Sequence, residues 1–238
     1  MTMRRAAALC ALTCAFSLMF ALSAHAAVTT GTTLSMPPNF QGLVGWWTFD
    51  GKDMVSNVND ASGQGNTGTL SGFTSTTTVP GPIGQALNFN GNDYVNIANS
   101  SSLSVGSTAT FAMWVEPDPS WPSYAVFLDK ADGAGTDYRI QRYYVSNQLE
   151  FFDNVNSLIG GTLTLGAWNF VVVTVNNGTA TGYINGVQAF SGAVNNPLNT
   201  SGGLLNIGRY SGGTNFIGGI DDVRIYNRAI SAAEVLQL

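Results

Sequence analysis

Residues 169–190 constrain the fold more than any other part of the chain. The run Asn169-Phe170-Val171-Val172-Val173-Thr174-Val175 is dominated by β-branched side chains, which pack well on a pleated surface and poorly in a helix. It is followed by Asn176-Asn177-Gly178, a second extended run over 179–184, the pair Asn185-Gly186, and a third run over 187–190. An Asn-Gly pair supplies the positive φ angles of a tight hairpin turn. Strands joined by so few residues are antiparallel, because a parallel neighbour needs a crossover of a dozen residues or more. The segment predicts a three-stranded antiparallel meander.

Similar signals recur along the chain. A strand is expected over 42–50, ending at Asp50, and then a loop over 51–68 dense in Asn, Asp, Ser and Gly. Two short strands, 84–91 and 94–97, flank a turn at Asn90-Gly91-Asn92-Asp93. Residues 109–116 alternate, with Phe111, Met113 and Val115 on one face, before a Pro-rich loop that carries Trp121. Strands over 124–130 and 137–144 follow, and 148–153 pairs back across Ser146-Asn147. Trp46, Trp47, Trp114 and Trp168 lie in apolar strands, and core packing is expected for at least three of them. In the last strand Asp221 and Asp222 are adjacent, so regular alternation places them on opposite faces, with Asp222 a surface partner of Arg224. A carboxylate on an inner face needs a hydrogen-bond cluster or a cation. Ser231-Ala232-Ala233-Glu234 is a capping box that opens a helical turn over 232–238. About a dozen strands with short turns and no long helix predict an all-β, two-sheet sandwich.

The first residues predict export. Arg4-Arg5 precede an apolar stretch from Ala6 to about residue 22, and Ala24-His25-Ala26 is an A-x-A cleavage site. The expected organisation is a signal peptide over 1–26, a flexible leader over 27–41 and one domain over 42–238, secreted to the periplasm or beyond without membrane insertion of the mature chain. Cleavage would remove Cys10, Cys14 and His25, leaving neither cysteine nor histidine. That excludes disulfides, Cys/His zinc sites and any His base or Cys nucleophile. Arg4 and Arg5 would leave too, giving seven basic against fourteen acidic residues. An acidic chain without a basic cluster argues against a nucleic-acid partner.

Eight segments, taken in order, resemble the laminin-G-like branch of the concanavalin A-like lectin/glucanase superfamily. They are 42–50, 60–66, 84–91, 113–115, 168–174, 182–187, 205–209 and 219–231, including Gly219-Ile220-Asp221-Asp222-Val223-Arg224-Ile225-Tyr226. The resemblance implies a jelly roll of two curved antiparallel sheets in which the first strand lies beside the last. It also implies glycan or glycoprotein binding, often with one calcium ion.

Three kinds of chemistry follow as expectations. Calcium takes six to eight hard oxygens. Asp60, Ser62, Gln64 and Asn66 alternate along one loop, and Asp50 and Asp221 become neighbours if the terminal strands pair. The candidate metal ligands are therefore Asp50, Asp60, Gln64, Asn66 and Asp221 for a structural calcium, against the alternative that Asp60 and Ser62 form Asx turns and Asp221 binds backbone amides. Sugars stack on aromatic side chains, with planar polar groups fixing their hydroxyls. Alternation puts Arg139, Gln141 and Tyr143 on one face, Glu150 and Phe152 outward beside them, and Asn154, Trp121 and Tyr124 next to these. These eight are the candidate carbohydrate-binding residues; the alternative for Tyr143 and Phe152 is cross-strand packing. Catalysis is not expected. The chain has three isolated glutamates, Glu116, Glu150 and Glu234, and lacks the Glu-x-Asp-x-x-Glu strand motif of the superfamily's retaining glucanases. The sequence predicts a non-catalytic lectin-like module. An extracellular protein-interaction or surface-structural module is the alternative, and a glycan hydrolase the least favoured.

Overall fold

The computed structural model describes residues 40–51, 54, 57–73, 78–120, 124–132, 135–143, 146–198, 202–210 and 215–238. The expected signal peptide, all but the end of the expected leader, and Trp121 lie outside these residues.

The meander forms as the sequence demands. Strand β11 (Asn169–Asn176) pairs with β12 (Thr179–Ile184), and β12 with β13 (Val187–Ala193), all antiparallel. Asn177 (φ 46°), Gly178 (φ 87°), Asn185 (φ 51°) and Gly186 (φ 78°) supply the left-handed turn residues. On its other edge β11 pairs with β6 (Thr108–Pro117). The remaining strands are β1 (Leu43–Trp47), β2 (Gly68–Ser71), β3 (Thr78–Pro80), β4 (Gln85–Asn90), β5 (Tyr94–Ile97), β7 (Ala125–Asp132), β8 (Gly135–Arg142), β9 (Leu149–Phe152), β10 (Ser157–Gly160), β14 (Leu204–Ile207) and β15 (Ile217–Tyr226).

These strands make two antiparallel sheets stacked as a jelly roll. One runs β13-β12-β11-β6-β15-β4-β3, with β1 also on β15; the other runs β10-β9-β8-β7-β14-β5-β2. The first strand does lie beside the last: Trp46 pairs with Arg224 and Trp47 with Val223. Strands β4 and β5 are not hairpin partners, because β4 joins the first sheet and β5 the second, so the Asn90–Asp93 segment is a corner between sheets. The strands unmarked by periodicity, β2, β3 and β10, are all terminal in their sheets. Short strands, one of them carrying Pro80, blunt a sheet edge against pairing with another chain.

Between the sheets lies one core that includes Trp47, Phe49, Phe111, Phe127, Tyr138 and Phe151, all fully buried. Phe111 from the first sheet meets Tyr138 from the second with ring centroids 4.5 Å apart. The tryptophans depart from expectation: of the four, Trp47 alone enters this core. Trp46 is half-buried on the other face of β1, because neighbouring strand residues point opposite ways. Trp114 instead belongs to a second cluster with Phe170, Val172, Ile230 and Val235, on the outer face of the first sheet. The C-terminal turn α1 (Ala232–Val235) contributes to that cluster, and it starts at the expected capping box: Glu234 N–H donates to Ser231 Oγ while Ser231 N–H donates to the Glu234 carboxylate.

Asn185 combines two local constraints. It holds a left-handed conformation, and its Oδ1 accepts a hydrogen bond from Phe170 N–H at 2.8 Å, closing the end of the β11–β12 pair. Asn185→Ala is expected to cost about 1–3 kcal/mol, because it loses the bond and forces a Cβ residue into that region without side-chain help. Asn185→Gly, which loses only the bond, should cost distinctly less in a urea melt; equal costs would refute this division.

Candidate functional site

Strand β8 sits between β7 and β9, with Arg139 opposite Phe152 and Gln141 opposite Glu150. Alternation buries Tyr138, Ile140, Leu149 and Phe151 in the core and turns Arg139, Gln141, Glu150 and Phe152 to the other face. There Tyr124, Arg139, Gln141, Glu150, Phe152 and Tyr210 line an open hollow of ≈ 270 Å³.

The polar groups of the hollow are held in place. Gln141 Nε2 donates to Glu150 Oε2 at 2.6 Å, and Ser157 Oγ donates to Glu150 Oε1 at 2.5 Å. Arg139 Nε lies 2.8 Å from Asp129 Oδ1, and its Nη2 donates to Thr136 Oγ1 at 2.8 Å. Its guanidinium carbon is 3.8 Å from the centroid of the Tyr210 ring and 5.5 Å from that of Phe152. A guanidinium fixed by a carboxylate and flanked by aromatic rings loses little freedom when a ligand arrives.

Five of the eight residues expected to bind carbohydrate thus line the hollow. Tyr143 does not; it packs edge-on against Tyr124, with centroids 5.9 Å apart, and supports that ring from behind. Asn154 is also outside it. Its Oδ1 accepts from Thr136 N–H at 3.4 Å and its amide lies against Gly135, so it braces the start of β8. Tyr210 and Asp129 were missed. Tyr210 comes from just beyond β14, and Asp129 reaches Arg139 across the β7–β8 pair, so no spacing along the chain advertises either.

The five candidate metal ligands do not converge. Asp60 Oδ1 accepts the amides of Trp46 and Ser62, and its Oδ2 that of Asn66, each at 2.9 Å. Asn66 Nδ2 donates to Val44 O at 2.7 Å and to Ser102 Oγ at 2.9 Å. Gln64 is exposed. This loop therefore follows the Asx-turn alternative, and it satisfies the backbone along the free edge of β1. Among the described residues no group of three or more His, Cys, Asp or Glu side chains is arranged to hold a metal ion.

Asp50 and Asp221 share a different turn. Asp50 Oδ1 accepts from Gln85 N–H and Asp221 Oδ2 from Ile83 N–H, both at 3.0 Å. Gly81 and Gly84 lie against these two carboxylates, where a Cβ would collide with them. The expected split of Asp221 and Asp222 onto opposite faces fails, because Asp222 has φ 52° and a bulge interrupts the β15–β6 register between Asp221 and Arg224. Ile220 and Val223 both enter the main core, so the two intervening carboxylates both point outward. Asp222 is not a surface residue either. It is buried, accepts from Trp46 Nε1 at 2.6 Å and pairs with Arg224 at 2.6 Å. Asp221 is fully buried with no partner for Oδ1. Burial, reinforced by the Asp222 and Asp50 charges, raises its pKa to about 7 against the opposing Ile83 hydrogen bond.

A laminin G-type model of the concanavalin A-like lectin/glucanases superfamily matches residues 89–236. The chain belongs to this superfamily. No curated protein matches the sequence. Domain 4 of AbnA, a GH43 extracellular arabinanase from Geobacillus stearothermophilus, solved in complex with arabinotriose, has a TM-score of 0.68 at 23% identity, over 82% of this chain and 97% of that one. The binding domain of Paraclostridial Mosquitocidal Protein 1 has a TM-score of 0.62 at 20% identity, over 82% and 51%. The binding domain of botulinum neurotoxin DC in complex with SialylT has 0.64 at 15%, over 83% and 51%. This lectin-like chain thus spans about half the length of each toxin chain and nearly all of the arabinanase domain, and at these identities the likeness is one of fold.

The raised pKa of Asp221 has a definite sign. Between about pH 4 and 7 the unfolded chain releases this proton while the folded protein keeps it, so the group's contribution to stability falls as pH rises through that window and is constant above it. In EDTA, Asp221→Asn should gain in melting temperature relative to wild type as pH rises from 4 to 7. A pH-independent difference would refute the assignment.

Proposed function

We propose that the chain is an exported, non-catalytic carbohydrate-binding module, and that the hollow over β8 and β9 is its sugar site. The observation that carries this is the Arg139 guanidinium held against Tyr210 and Phe152 beside the fixed Gln141–Glu150 pair. Rings offer a flat apolar surface to sugar C–H groups, and the planar amide, carboxylate and guanidinium offer directed bonds to hydroxyls. The arabinotriose complex of AbnA domain 4 and the SialylT complex of the toxin support a glycan as the ligand class. Export is supported by the apolar segment before Ala24-His25-Ala26.

The non-catalytic part rests on charge. Among the described residues lining the hollow, Glu150 is the sole carboxylate, and both its oxygens take hydrogen bonds. Glycoside hydrolysis ordinarily needs two carboxylates flanking the scissile bond. Asp129, the nearest other acid of this face in the pairing pattern, is fully buried and ion-paired with Arg139.

We further propose a structural calcium at the 81–85 turn, held by Asp50 and Asp221, with main-chain carbonyls and water completing its shell. The free, buried Oδ1 of Asp221 supports this: a cation would satisfy that atom and neutralise the clustered acids. Asp60, Gln64 and Asn66 have no part in it.

Two measurements test these readings. On a glycan array the wild type should bind at least one oligosaccharide, and Phe152→Ala or Tyr210→Ala should weaken that binding about threefold to tenfold by removing a ring contact. Absence of binding to any glycan would sink the module reading, and unaltered binding by both variants would sink the site. Millimolar calcium should raise the melting temperature of EDTA-treated wild type but not of Asp221→Asn; a melt indifferent to calcium would refute the ion.

A further inference from the structure

We infer that Arg209, stacked on Tyr94 beside the hollow, is a subsite for a carboxylate, so that the ligand is an acidic glycan such as a uronate- or sialate-containing oligosaccharide. The inference rests on the sugar-site reading above and specifies its ligand.

The face is continuous. Across the second sheet the pairing register aligns Phe152 with Arg139, Arg139 with Asp129, Asp129 with Asn206, and Asn206 with Asn96. Val95, Ile97, Leu205 and Ile207 face the core, so Tyr94, Asn96 and Asn206 share the outward face with Arg139 and Phe152. Asp129 and Asn206 form the buried floor of this row. Just past the end of β14, two consecutive residues take part in two stacks. Tyr210 lies against Arg139 and lines the hollow, while Arg209 lies over Tyr94, with its guanidinium carbon 4.2 Å from the ring centroid. A ligand that extends from the hollow along this row would therefore reach Arg209.

Arg209 is chemically distinct from the other described arginines. Arg139 is paired with Asp129, Arg224 with Asp222 and Arg228 with Glu234, while Arg142 donates to Asn147. Among the described residues Arg209 alone has a guanidinium that meets an aromatic ring and neither a carboxylate nor a side-chain or carbonyl acceptor. It is half-buried and oriented by the Tyr94 ring, and its backbone is fixed by a bridge to Asn215, whose Nδ2 donates to Gly91 O at 2.8 Å. With the Tyr94 ring against it, the N–H edge of the guanidinium meets no acceptor among the described residues. That edge is a fork of N–H donors matched to the two oxygens of a carboxylate. In a chain with formal charge −5 an unpaired, oriented cation has many acids to choose from and pairs with none among the described residues. The charge distribution orients the ligand too, with its acid at Arg209 and its neutral hydroxyls at Glu150.

The test uses two matched pairs of probes: trigalacturonate against galactotriose, and sialyllactose against lactose. The full chain should bind the acidic member of at least one pair about tenfold more tightly than its neutral partner, as a charge-assisted bidentate pair gives, and the preference should shrink with added salt. Which pair shows it identifies the uronate or the sialate. Arg209→Gln should bring the acidic probe's affinity down to that of its neutral partner, and Arg209→Lys should restore only part of it. Equal binding within both pairs, or a preference that survives in Arg209→Gln, overturns the inference. If a neutral probe binds and Phe152→Ala weakens it while no acid preference exists, the sugar site stands and the carboxylate subsite falls. If no probe binds, the carboxylate subsite falls, and the glycan array alone decides the sugar site.

Discussion

Strand β15 hydrogen-bonds to β6 along one edge and, along the other, first to β4 and then to β1. Two strands far apart in sequence thus share one edge of the last strand. Where the chain passes from one to the other, the left-handed Asp222 breaks the register with β6. Its bulge places one more residue on the outer face than alternation allows, so Asp221 and Asp222 emerge together. An outward pair of acids in a sheet with partners on both edges must be satisfied locally. Trp46 and Arg224 satisfy Asp222, and the 81–85 turn half-satisfies Asp221. The residual electrostatic tension at Asp221 is therefore a consequence of the bulge.

The two sheets divide the work. The outer face of the first sheet carries the closing bulge and a secondary apolar cluster under the C-terminal turn. The outer face of the second carries Arg139, Gln141, Glu150 and Phe152 without such a lid among the described residues, and the hollow lies there. An ion pair like Arg139–Asp129 adds little net stability, because desolvation offsets most of its Coulomb energy. What it supplies is a fixed guanidinium orientation.

Much of this was legible in the sequence because period-two alternation and Asn-Gly turns are local signals. The meander, the inward set of Phe111, Met113 and Val115, and the outward set on β8 and β9 all followed from neighbours along the chain. The losses share one cause. Asp129 beside Arg139, Tyr210 above it, and Asn66 bonded to Val44 are pairings across strands or loops, which no residue spacing encodes. The Asp60 loop is the sharpest case. Alternating oxygens suit a cation and an Asx turn equally well, and the exposed backbone of β1 decided between them, a demand visible only once β1 is placed at an edge.

The 81–85 turn and the hollow differ in the demand that they leave unmet. At the turn, the oxygens of Asp50 and Asp221 face main-chain amides and one another, so the unmet demand is for positive charge. In the hollow, Arg139 is paired with Asp129 and Gln141 with Glu150, and the unmet demand is for a partner that meets flat rings and short, directed polar edges at once. A cation meets the first demand and not the second, and a sugar the reverse. Were the Gln141–Glu150 bond absent, Glu150 would be held by Ser157 alone and its Oε2 would stand without a partner beside the rings. The amide that occupies Glu150 Oε2 fixes the orientation of that carboxylate, and it does so from the strand position that alternation assigns to residue 141.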